Sequence, residues 1–65
     1  MIFDFRTSDG RHHDENVPLR DWRQARSRAR WLARRLWHVE TVGIYENLPD
    51  GTVRDTRNAD EYVSV

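Results

Sequence analysis

Five side chains near the middle of the chain have the types and spacing to grip an anion or stack on a flat ring: Arg23, Arg30, Trp31, Arg34 and Trp37. A guanidinium makes forked hydrogen bonds to a carboxylate or a phosphate. An indole beside it can stack on a base or anchor a protein contact. With about 3.6 residues per helical turn, Arg23, Arg30 and Arg34 share one side of a helix. Trp31 stands beside them, and Trp37 falls at the border of that side.

A second cluster, His12-His13-Asp14-Glu15, carries metal-ligating atoms. Neighbouring residues of an extended segment point to opposite faces, so they share one ion poorly, and a solvated polar loop is the simpler reading. His38 is the only other histidine. A catalytic zinc needs three converging ligands and an open position, and no such spacing is present. The sequence also lacks cysteine, a glycine-rich phosphate loop and a GxSxG elbow, and Ser8, Ser27 and Ser64 have no motif spacing. The chain is therefore read as non-enzymatic, with no metal, no cofactor and no small-molecule substrate.

The element that must position the arginines is the stretch from Pro18 to His38, read as one helix. Proline suits a first helical position because its missing N–H is not needed there. Asp14, Glu15 and Asp21 lie near the expected N-terminus and Arg34, Arg35 and His38 near the C-terminus, each in the sense the helix dipole favours. The interior has no glycine and no β-branched residue. Trp22, Ala25, Ala29, Leu32, Ala33 and Leu36 fall in one stripe about 100° wide, the shape of a face packed on a sheet. If Leu36 is buried there, Leu36→Ala should cost on the order of 2–5 kcal/mol.

Around this helix the period is that of strands. Residues 1–7 alternate, with Phe3 and Phe5 on one side as core candidates. Ser8-Asp9-Gly10-Arg11 has Asp-Gly where a type I′ turn needs positive φ, so residues 11–15 form either a returning strand or a loop within the connection 8–17. Residues 39–57 read as a hairpin turned at Leu48-Pro49-Asp50-Gly51, with Val42, Ile44 and Val53 inward. A short strand is expected over 61–65, and Tyr45 and Tyr62 are placed on the face away from the helix. The expected fold is α+β: a single domain over residues 1–65 of β(β)αββ(β) order, with one long arginine-rich helix on one face of a three- to five-stranded sheet.

Composition limits the functions this frame can serve. A core this small supplies roughly 3–5 kcal/mol unless it is cross-linked, so a partner or self-association is the natural background. Net charge is zero, yet seven arginines and one aspartate lie between Pro18 and Trp37 while the remainder holds four arginines and ten acids. All eleven basic residues are arginine, a bias that a GC-rich genome also produces. With no apolar run long enough to span a bilayer and no secretory leader pattern, the chain is expected in the cytoplasm and off the membrane.

The expected function is a small protein-interaction or regulatory module. It would bind an acidic protein, or a second copy as a homodimer, through the arginine–tryptophan face or the open sheet face. The alternative is a nucleic-acid-binding module with the arginines on phosphates and Trp31 stacking. Ten acids elsewhere on the chain oppose it.

Overall fold

A computed structural model describes the backbone of residues 1–58 and the side chains of residues 1–53. Four strands, β1 (Ile2–Arg6), β2 (His13–Pro18), β3 (Gly43–Asn47) and β4 (Val53–Asn58), form one antiparallel sheet in the order β2-β1-β3-β4. One helix, α1 (Trp22–Trp31), continues into a π turn at Leu32–Leu36 and covers one face. This is the expected α+β class. The strand expected over 61–65, and Tyr62 within it, lie outside the described residues.

Phe3 and Phe5 pair with Glu46 and Ile44, which puts all four on the helix side of the sheet. There Phe3, Phe5, Val42 and Ile44 meet Ala25, Ala29, Leu32 and Ala33 in a fully buried core. The alanines let the helix backbone approach the sheet closely, and Trp22 sets its edge on the Phe3 ring at 5.0 Å. Tyr45 faces the other way, opposite Asp4.

Pro18 does not begin the helix. It ends β2, paired with Ile2 on an edge strand, where a missing N–H leaves no ladder bond unmade. The helix starts three residues later at Asp21, whose carboxylate accepts from the Gln24 N–H at 3.0 Å, while the Gln24 carboxamide accepts from the Arg20 N–H at 2.7 Å. Asp-x-x-Gln is a capping-box spacing, and it outweighs proline as a start signal here.

The helix also ends differently from an ideal one. The Trp37 N–H donates to the Leu32 carbonyl at 2.7 Å, five residues back, and the Val39 N–H donates to Ala33 at 2.9 Å. His38 closes the end with φ of +54°. A π turn advances roughly 80° per residue instead of about 100°, so by its end the face has rotated by most of a residue. Leu36, expected at the centre of the stripe, is 55% exposed, and Trp37 is turned toward the core, where its ring stacks on His12 at 5.3 Å. The wider turn buries the larger of the two side chains.

Val53 is likewise not inward. It pairs with Asn47, which lies on the open face, so the pleat sends Val53 outward and it is 52% exposed.

Both hairpins are built the same way. Gly10 N–H donates to Thr7 and Gly51 N–H to Leu48, each at 3.0 Å, and each glycine has positive φ. Asp9 does not share that conformation, so the first turn is not type I′ but the same Asp-then-Gly design as the second. Asp9 Oδ1 accepts from the Arg11 N–H and Asp50 Oδ1 from the Thr52 N–H, each at 2.9 Å, and hydroxyls of Thr7 and Thr52 donate to the same oxygens at 2.7 Å. These donors favour the ionised carboxylates. The Arg11 N–H chiefly lowers the Asp9 pKa, and the Thr52 hydroxyl chiefly lowers that of Asp50, below the ordinary 3.8. A pKa depressed by folding stabilises the fold above the unfolded value and is lost as pH falls through the folded one. Thermal unfolding midpoints should therefore drop between about pH 5 and about pH 3. An Asp9→Asn/Asp50→Asn variant, which keeps the acceptors but cannot titrate, should lose less over that range.

Candidate functional site

The exposed side of α1 is where the chain departs furthest from what folding requires. Arg23, Arg34 and Arg35 are exposed, Arg30 is half-buried, and Trp31 is 48% exposed. Among the described residues, Arg20, Arg23, Arg30, Arg34 and Arg35 take part in no ion pair. Like charges at i,i+4, as in Arg30 and Arg34, cost a few tenths of a kcal/mol each. That cost is unrelieved within the described part of the molecule.

Arg28 differs from these five, and the spacing did not single it out. Its Nε and one terminal nitrogen both donate to Asp14 Oδ2, at 3.1 and 2.7 Å, tying the helix to β2. The same guanidinium lies 5.5 Å from the centre of the Trp31 ring. Asp14 thus fixes Arg28, and Arg28 covers one face of the indole. The acidic character of a strand residue 14 positions earlier in sequence was the available signal, but only the fold brings the two together.

Of the five residues picked out by type and spacing, the helix gathers Arg23, Arg30, Trp31 and Arg34 on its solvent side. Trp37 stands apart, because the π turn has drawn it toward the core. At the amino-terminal end of the same side, Arg20, Asp21, Arg23, Gln24 and Ser27 line a shallow cleft of about 340 Å³.

The remaining polar clusters are accounted for by the fold. His12 stacks on Trp37, while His13 contacts Glu15 at 3.4 Å and the Gly10 carbonyl at 3.2 Å. Among the described residues no three His, Asp or Glu side chains converge to hold a metal ion. On the sheet's open face Arg6 lies over the Tyr45 ring at 5.5 Å and reaches Asp4 at 3.3 Å. A second concavity of about 510 Å³, lined chiefly by Met1, Ile2, Asn47, Leu48 and Pro49, opens at the end of the sheet near the chain start. Its lining has none of the arginines.

Among the described residues no helix is long and apolar enough to cross a membrane. No family model, curated protein or solved structure matches this chain.

Proposed function

We propose that the protein is a small non-enzymatic interaction module whose arginine–tryptophan helix face docks an acidic protein surface, either on another protein or on a second copy. The observation that carries this reading is the contrast within one helix. Arg28 has its carboxylate, and Arg23, Arg30, Arg34 and Arg35 have none among the described residues. Arginine and tryptophan are the side chains most enriched where protein contacts carry their energy. Charge segregation in a chain of zero net charge also steers association with a partner of opposite pattern.

Nucleic acid is the second reading, with the same arginines on phosphates. The Arg28 guanidinium occupies one face of Trp31, so a base would stack on the other. The acids on the rest of the chain repel a phosphate backbone, so such binding would fade steeply with salt.

Fluorescence anisotropy decides between them, using a labelled aspartate- and glutamate-rich peptide and labelled single-stranded DNA, each at low and physiological salt. Saturable peptide binding at physiological salt that is lost in Arg30→Glu is the expected result, with sedimentation reporting any dimer. DNA binding that persists at physiological salt, with no peptide binding, would replace the protein reading with the nucleic-acid one. If neither probe binds at low salt, both readings fall.

A further inference from the structure

The π turn does more than bury Trp37. In an uninterrupted α-helix, residues five apart are separated by about 140° around the axis. Across a π turn, at roughly 80° per residue, that separation closes to about 40°. Leu36 follows Trp31 by five residues through this turn, so the two stand on adjoining parts of the solvent side, 55% and 48% exposed. Arg35 lies between them in sequence, and the row formed by Arg23, Arg30 and Arg34 runs alongside. The helix end thus presents an apolar step flanked by cations that have no counter-ion among the described residues.

Resting on the acidic-partner reading above, we infer that this step selects an amphipathic acidic helix. Its aliphatic side chains would seat over Trp31 and Leu36, and its carboxylates would reach Arg30, Arg34 and Arg35. The charges identify the partner's flanks as acidic. An apolar pair, Trp31 and Leu36, beside a basic row along the helix axis matches the side-by-side packing of a second helix whose apolar residues repeat every three to four positions. Arg28, held by Asp14, keeps the indole in place beneath it, so little side-chain freedom is lost on docking. Leu36 is then a contact residue: its exposure has a use that a core role would not give it.

The experiment uses two labelled peptides of identical acidic content, one with leucines at i, i+3 and i+7 and one with those leucines replaced by serine. At physiological salt the leucine peptide should bind the full-length protein about tenfold or more tighter than the serine peptide. Leu36→Gln should erase that preference while leaving serine-peptide binding unchanged. Trp31→Gln, a second exposed position, should also lose the preference for the leucine peptide, and circular dichroism of both variants verifies the fold. Equal binding of the two peptides by the wild-type protein, or a preference that survives Leu36→Gln, overturns the apolar step and leaves the arginine reading standing. Failure of the wild-type protein to bind either peptide removes both.

Discussion

Asp4→Ala is expected to leave most of the protein unfolded at room temperature, while Asp4→Asn folds nearly as well as the wild type. Asp4 sits in the middle of β1 on the sheet's open face and is only 5% exposed. Opposite it β2 bulges: Phe3 pairs with Val17 and Phe5 with Asp14, so Glu15 and Asn16 together face one residue. Asn16 takes φ of +55° and turns its N–H out of the ladder, onto Asp4 Oδ1 at 2.8 Å. The Asn47 carboxamide donates to the same oxygen at 2.7 Å, and Arg6 donates to Oδ2 at 3.3 Å. One carboxylate therefore joins three strands. Alanine strands two partly buried donors at roughly 1–3 kcal/mol each, close to the roughly 3–5 kcal/mol that holds a domain of this size. Asparagine keeps Oδ1 for both donors and gives up only the exposed arginine contact, worth about 1 kcal/mol or less. Urea titration followed by circular dichroism measures both. An alanine variant within about 0.5 kcal/mol of the wild type would show that water replaces the carboxylate at the bulge.

The role of Asp4 could not be read from the sequence, where it is simply the polar residue between Phe3 and Phe5. Local periodicity gives the face of a residue, and the alternation of β1 placed both phenylalanines correctly. It does not give register, and the bulge that calls for an acceptor is a property of the pairing between β1 and β2. The same limit explains Val53: its face follows from pairing with Asn47, which the turn length sets. Pro18 shows a different failure, in which one residue type fits two contexts, and the tie is settled downstream by the Asp21-x-x-Gln24 cap. At the helix face the legible part was the clustering of Arg23, Arg30, Trp31 and Arg34, because the first three lie in one regular helix and Arg34 follows early in the π turn, before much rotation has accumulated. What escaped was whatever depends on a second element, such as the bond from Arg28 to Asp14, or on a departure from α geometry, such as the exchange of Leu36 for Trp37.

That exchange yields the second large effect. Leu32→Ala should destabilise the protein by about 2–5 kcal/mol, whereas Leu36→Ala should stay within about 0.5 kcal/mol of the wild type. Leu32 is 1% exposed among Ala29, Ala33 and the sheet core, and its loss leaves a cavity that the alanines around it cannot fill. Leu36 is one turn further on and would face the same core if the helix stayed α. Equal costs at the two positions would therefore mean that the helix keeps its ordinary pitch through residues 32–36, with Leu36 inside and Trp37 at the border. Unequal costs are what the rotation, and with it the exposed leucine beside Trp31, predicts. Stability measured at two leucines thus tests the geometry on which the docking surface depends, independently of any partner.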